Sequence, residues 1–253
     1  MAFNFFAAFA PDPLNTEPYF SVVVPFYNEA ENLPKLIREI DAMLRVLEQP
    51  AEIVLVNDGS TDGFARPQLS PSFPILWLDL NQNSGQSAAM YYGMQEARGE
   101  FTILLDADLQ NDPMDAPKLW RKLVDEDLDM VTGVRTDRHD TWTRRISSRI
   151  ANAVRSALLQ DHTSDTGCTL KVLRREAAMR LPAWNGMHRF MPALTLAAGF
   201  KIGEMPVTHR DRNAGVSKVA GGKRAIRATI DLLGMLWLSR RQFKGRLLPR
   251  EKL

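Results

Sequence analysis

One cysteine, Cys168, is all that the 253 residues contain. An intrachain disulfide is thereby excluded, as is a metal cluster built on cysteine, and a reducing compartment is the expected setting. No stretch reaches the roughly 18 to 20 apolar residues that cross a bilayer, so no transmembrane helix is expected. The first ten residues are rich in Phe and Ala but hold no Lys or Arg. A secretory leader needs a basic start, and Pro11 and Pro13 follow at once, so none is expected here. Internal repeats and low-complexity tracts are absent as well.

What remains is ordinary globular material: 45% of residues are apolar and 25% charged. The length suits one domain with an appendage, enough to bury a full core. The formal net charge is only +2, but it is unevenly placed. From Lys201 onward thirteen basic side chains face four acidic ones, an excess of nine positive charges, so the first 200 residues sum to −7. A basic tail of that kind is suited to an anionic partner. No aromatic-interleaved basic groove or DNA-reading motif accompanies it, so nucleic acid is not expected.

Along the chain, apolar runs alternate with helix-period patterns. Strands are expected at 20–26, 51–56, 75–80, 101–105 and 130–134. Helices are expected at about 33–47, 84–98 and 117–125. Alternation of this kind gives an α/β protein with a mostly parallel, doubly wound sheet and helices on both faces. Beyond Arg135 the pattern is less regular: an Arg-rich helix at 143–159, a hairpin around 166–173, a helix at 189–198, and a glycine-bearing mobile loop at 213–222.

The most informative stretch is Asp106-Ala107-Asp108-Leu109-Gln110. Two carboxylates at i and i+2 past the end of a buried strand leave the core together, into the crevice at the carboxyl edge of the sheet. Hard oxygen ligands at that spacing suit Mg²⁺ or Mn²⁺, which in turn can clamp a diphosphate. Asn28 and Glu29 after the first strand and Asp58 after the second would join them in a nucleotide-sized site. Pro25 and Tyr27 are placed to wall a base, and Asp58 to accept a hydrogen bond from base or ribose. Taken singly, each of these residues also fits a turn or helix cap.

Three segments carry a resemblance: Val-Pro-Phe-Tyr-Asn-Glu at 24–29, Val-Asn-Asp-Gly-Ser-Thr-Asp at 56–62 and Leu-Asp-Ala-Asp-Leu-Gln-Asn-Asp-Pro at 105–113. Together they resemble family-2 glycosyltransferases with the type-A nucleotide-sugar fold. Within that family the likeness is to polyprenyl-phosphate glycosyltransferases of the dolichyl-phosphate mannose synthase kind. Arg144 to Asn152 resembles the acceptor-site helix of that branch, and Arg212-Asn213-Ala214-Gly215-Val216-Ser217-Lys218 resembles its Arg-x-x-Gly-x-Ser-Lys loop. The resemblance implies that Asp106, Asp108 and Gln110 hold Mg²⁺ or Mn²⁺ on the diphosphate of a nucleotide-sugar donor, with Ala107 between the two carboxylates and Gly85 opening a donor-side turn. It further implies inverting transfer of one sugar from a UDP- or GDP-sugar to polyprenyl phosphate.

Chemistry agrees with that expectation. A phosphate monoester has a second pKa of about 6 and is largely dianionic at neutral pH. It can attack without a dedicated base, so cationic positioning groups are expected rather than a Ser–His–Asp relay. Arg135, Arg144 and Ser148 are the candidates for acceptor phosphate, the last two sharing one helical face. Arg212 and Lys218 would close over the phosphates. His188 and Arg189 are candidates for the sugar pocket, Arg189 being able to pair with a uronic acid carboxylate. Asp165 fits either a sugar contact or a hairpin turn. A saccharide or another lipid as acceptor, and a non-enzymatic nucleotide-sugar scaffold, are the competing readings.

The expected organisation is an N-terminal extension (1–18), a catalytic domain (19–222) and a basic amphipathic helical tail (223–253). Ile226, Ile230, Leu233 and Trp237 share one side of the tail helix, and Arg240, Arg241, Lys244 and Arg246 follow it. An interfacial helix on anionic lipid and a helix packed on the domain or on a second copy both fit. Peripheral attachment to the cytoplasmic face of a membrane is therefore expected, with a homo-oligomer left open.

Overall fold

The computed structural model describes residues 17–135, 155, 156, 158, 159, 161, 163–210 and 221–241, the last segment by backbone alone up to 228. Its centre is β1 (Phe20–Phe26), a strand buried along its whole length. Burial on both faces is the setting of a parallel strand covered by helices, and explains a run without alternation. β2 (Ala51–Asn57) and β4 (Phe101–Leu104) flank it in parallel register, Val22 lying between Ile53 and Ile103. β3 (Ile75–Asp79) extends the sheet beyond β2.

Past β4 the sheet continues through β6 (Lys171–Arg174), β5 (Met130–Arg135) and β7 (Ile202–Val207), giving the order β3-β2-β1-β4-β6-β5-β7. β6 is antiparallel to both β4 and β5, so six strands run one way and one against them. The mostly parallel sheet is as expected, with differences in the second half. The segment expected as a hairpin at 166–173 instead sends Lys171–Arg174 between two strands. The edge strand β7, absent from the sequence reading, contains Gly203 and Pro206, which mask a strand pattern but are tolerated at an edge.

Helices cover both faces. α1 (Leu33–Leu47) and α3 (Ala116–Asp125) bury their leucine stripes against one. α2 (Gln86–Glu96), the short α4 (Arg175–Met179), α5 (Met191–Ala197) and α6 (Gly221–Ser239) lie with the other. The expected helix at 189–198 begins two residues later, because Gly186 (φ 107°) first turns the chain into a 3₁₀ turn at Met187–Arg189. Pro192 then occupies the first turn of α5, where its missing N–H costs nothing.

One contact sets the height of α2. A Cβ on Gly93 would lie 2.5 Å from Val23 Cγ1 and 2.9 Å from Val56 Cγ2. Glycine there lets the helix sit directly on β1 and β2, with its first turn at their carboxyl edge. The strand order reverses between β1 and β4, and a crevice at such a reversal is where open α/β sheets bind ligands.

Candidate active site

At that reversal Pro25, Phe26, Tyr27, Glu29, Asp58, Gln86, Asp106, Ala107 and Asp108 line a cavity of about 260 Å³. Each side chain arrives by a local rule. β4 ends at Leu104, and burial alternates through the turn that follows: Leu105, Ala107 and Leu109 are buried at 0%, 3% and 5% exposure, while the Asp106 and Asp108 side chains face the cavity. Leu109 pivots there at φ 61°. A left-handed leucine costs about 1–2 kcal/mol, and its burial offsets that cost.

Asp106 is braced from two distant parts of the chain. Gln86 Nε2 donates to Oδ1 at 2.7 Å and Thr169 Oγ1 to Oδ2 at 2.5 Å. Burial, and then the neighbouring Asp108 carboxylate, push its pKa up to about 6. Asp108 Oδ1 accepts the amide of Gln110 at 3.2 Å. Two crowded carboxylates of this kind fit a divalent cation, which would relieve their repulsion. Among the described residues no group of three or more His, Cys, Asp or Glu side chains is placed to hold a metal, here or elsewhere, so from that set a cation would have this pair alone. Gln110 sits in the turn just beyond the cavity lining.

Asp58 does more bracing than the sequence suggested. Its Oδ1 accepts the amide of Ser84 at 2.7 Å and its Oδ2 that of Gly85 at 2.8 Å. It therefore pins the Gly85 turn (φ 90°) that opens α2, while still lining the cavity. Asn28 (φ 56°) is likewise a joiner: its Oδ1 accepts the amide of Thr61 at 2.7 Å and its own amide donates to Ser60 Oγ at 3.0 Å. The loops after β1 and β2 are thus laced together behind Tyr27 and Glu29.

His188 lies against the first turn of α2, its Nδ1 2.6 Å from Ser87 Oγ. Burial, then the charges of Arg189 and Lys171, hold its pKa down to about 4, so the ring is neutral at physiological pH. Arg189 is engaged elsewhere, its Nη1 3.4 Å from Asp231 of α6. Neither residue lines the cavity. Arg135, at the end of β5, grips Asp165 with Nε at 2.7 Å and Nη2 at 2.9 Å. Arg144, Ser148, Arg212 and Lys218 lie outside the described residues, as does most of the 213–222 loop. The chain entering that last segment is placed beside the metal-type turn: Arg210 N donates to Gln110 O at 2.8 Å, and its guanidinium bridges Glu39 and Asp112 at 2.7 and 2.8 Å.

Sequence reasoning missed Gln86, Ser87, Thr169 and Lys171. The last is buried beneath the site, its ammonium on the Cys168 carbonyl and its pKa lowered by burial. A charged residue interrupting an apolar strand was the signal available for it.

The pattern that defines Glycosyl transferase family 2 matches residues 21–181. The chain belongs to this family. The glycosyltransferase is 36% identical over 227 residues to a dodecaprenyl-phosphate galacturonate synthase of Rhizobium johnstonii, covering 87% of this chain and 67% of that protein. It is 37% identical over 202 residues to an undecaprenyl-phosphate 4-deoxy-4-formamido-L-arabinose transferase of Serratia proteamaculans, covering 78% of this chain and 62% of that one. The glycosyltransferase thus spans about two thirds of the length of such relatives. In fold it is similar to glucosyl-3-phosphoglycerate synthase of Mycobacterium tuberculosis, crystallised with Mn²⁺, UDP-glucose and phosphoglyceric acid. That match has a TM-score of 0.65 at 18% identity, over 87% of this chain and 80% of the other. The type-A glycosyltransferase architecture is therefore the fold of this enzyme.

Proposed function

We propose that this enzyme moves a single sugar from a UDP- or GDP-sugar to polyprenyl phosphate, with inversion at the anomeric carbon, yielding a polyprenyl-phosphate sugar for cell-envelope glycan or lipid modification. The observation that carries the reading is the Asp106–Asp108 pair facing a cavity at the β1/β4 reversal. The named activities of the Rhizobium and Serratia relatives support a polyprenyl phosphate acceptor.

In this reading Pro25 and Tyr27 wall the base, with Asp58 and the Gly85 turn fixing its depth. Asp106 and Asp108, with Gln110, would hold Mg²⁺ or Mn²⁺, which when bound supplies positive charge against the departing diphosphate. Arg135, Arg144 and Ser148 position the acceptor phosphate, whose own oxygen attacks the anomeric carbon. Its dianionic state near neutral pH removes the need for a catalytic base. Arg212 and Lys218 add positive charge over the phosphates.

Attachment to anionic lipid is part of the proposal. No helix among the described residues is long and apolar enough to cross a membrane. α6 packs Leu232, Met235 and Leu238 on the domain and leaves Ile230, Leu233 and Trp237 exposed at 61–63%. Arg241 stacks on Trp237 at 5.3 Å beside Arg240. An apolar strip with an aromatic and a basic flank suits a headgroup boundary.

The test is transfer from radiolabelled UDP- and GDP-sugars to polyprenyl phosphate in vesicles, with Mn²⁺ and with EDTA. Metal-dependent labelling of the lipid is expected. Asp108→Ala should lower turnover by about 10²–10³-fold, the cost of removing a group that stabilises developing charge. Undiminished turnover by that variant, or labelling confined to acceptors without phosphate, would refute the reading.

A further inference from the structure

A continuous set of contacts joins the outer helix α6 to the carboxylate at the centre of the site. It begins at Asp231 on the domain-facing side of α6. Its Oδ2 is buried and makes no hydrogen bond, so the Arg189 guanidinium at 3.4 Å is its compensation. The same carboxylate lies over the turn at Gly186, where an added Cβ would come to 3.2 Å from Oδ2. Gly186 adopts φ 107°, a conformation that favours glycine independently of the space.

From that turn three groups converge on one hydroxyl. Gly186 N donates to Ser87 Oγ at 3.0 Å, and His188 Nδ1 sits 2.6 Å from the same oxygen. The Gly186 and His188 amides, at 3.0 and 3.5 Å, take the two lone pairs of that oxygen, so its own proton is directed to Nδ1, which makes His188 the Nε2–H tautomer. Ser87 is held from outside at the first turn of α2. Its neighbour Gln86 donates to Asp106 Oδ1 at 2.7 Å. The steps are the Arg189–Asp231 ion pair, the hydrogen bonds at Ser87 Oγ and the hydrogen bond from Gln86 to Asp106.

We propose that Asp231 and Arg189 are positioning residues for the donor site: their ion pair seats the 186–189 turn, which through Ser87 sets Gln86 against Asp106. The inference rests on the nucleotide-sugar reading and extends it, since it assigns Arg189 to holding the site rather than to a sugar carboxylate. It also makes the helix that carries the exposed apolar strip a determinant of donor binding.

The experiment measures dissociation constants of Mn²⁺–UDP and Mn²⁺–GDP by calorimetry on the full chain, with thermal unfolding as a control for folding. Asp231→Asn and Arg189→Gln should each weaken binding of the nucleotide that the wild type takes by about fivefold, the lower end of coupling between linked sites. Arg189→Lys, which keeps the charge, should stay within about twofold of the wild type. Packing alone would move unfolding temperatures and leave the constants unchanged, and that result overturns the proposal. Equal losses in Arg189→Lys and Arg189→Gln overturn it too, because the charge would then be irrelevant. Should Asp231→Asn fail to fold, Arg189→Gln decides, its side chain being 38% exposed. A wild type that binds neither nucleotide with Mn²⁺ refutes the donor-site reading itself, an outcome visible before any variant is made.

Discussion

Replacing His188 with Asn should make the protein more resistant to acid. His188 Nδ1 faces Ser87 Oγ at 2.6 Å, and burial, with the charges of Arg189 and Lys171, lowers its pKa from 6.5 to about 4. The folded state therefore resists protonation that the unfolded chain accepts. For a histidine depressed in this way, stability is intact above pH 6.5 and is lost as pH falls from there toward pH 4. One pKa unit corresponds to about 1.4 kcal/mol, so the full loss is about 3 kcal/mol and the share reached by about pH 5 is about 2 kcal/mol. Asn places an amide oxygen where Nδ1 stood, keeps an acceptor for the Ser87 proton and does not titrate. Urea unfolding of both proteins at about pH 7.5 and pH 5 isolates the effect, since every other titrating group is shared. The wild type should lose about 2 kcal/mol more than the variant over that interval. Parallel losses would refute the neutral, buried histidine and the hydroxyl-to-Nδ1 orientation built on it.

Gly93→Ala should cost about 1–3 kcal/mol by overpacking against Val23 and Val56, read as a lower denaturation midpoint with an unchanged slope. Because it lifts the α2 turn that carries Gln86, it should also weaken metal-dependent nucleotide binding. Arg155→Met should cost about 3–5 kcal/mol, because Asp161, paired with Arg155 at 2.9 Å and nearly inaccessible, is left as an uncompensated buried charge. Sedimentation with anionic vesicles should fall for Leu233→Ser with Trp237→Ser. It should fall with added salt for the wild type, and less so once Arg240 and Arg241 are neutralised.

How much of this was legible depends on how far each signal reaches along the chain. β1, β2 and β4 are buried on both faces, so their unbroken apolar runs mark them plainly. The carboxylates at their ends follow from where those runs stop. Asp106 and Asp108 needed only a two-residue period to be placed in the cavity. β6 was misread and β7 missed because their neighbours come from far along the chain: Leu104 pairs with Lys171, and Val131 with Gly203. Nothing local distinguishes an inserted antiparallel strand from a hairpin arm. The bracing residues were hidden for the same reason, Gln86 and Thr169 being 20 and 63 positions from the carboxylate they hold. The Arg189–Asp231 pair was hidden too, because Asp231 lies on a helix whose docking no short-range pattern reveals.

The charge distribution then acquires a physical reading. Glu29, Asp58, Asp106 and Asp108 all line the cavity, and among the described residues no Lys or Arg lines it. Such a cavity repels a diphosphate by itself, and in a partly enclosed site that repulsion is stronger than in water. Countercharge has to be brought in, from a divalent cation or from the basic second half of the chain. Arg210 shows where the second source begins, its backbone on Gln110 and its guanidinium tied to Glu39 and Asp112 beside the paired aspartates. Of the basic residues from Lys201 onward, Arg210 reaches the edge of that site. On the proposed reading the acidic walls hold the cation and the basic half of the chain meets the anions, so two opposite preferences in the sequence would serve one site.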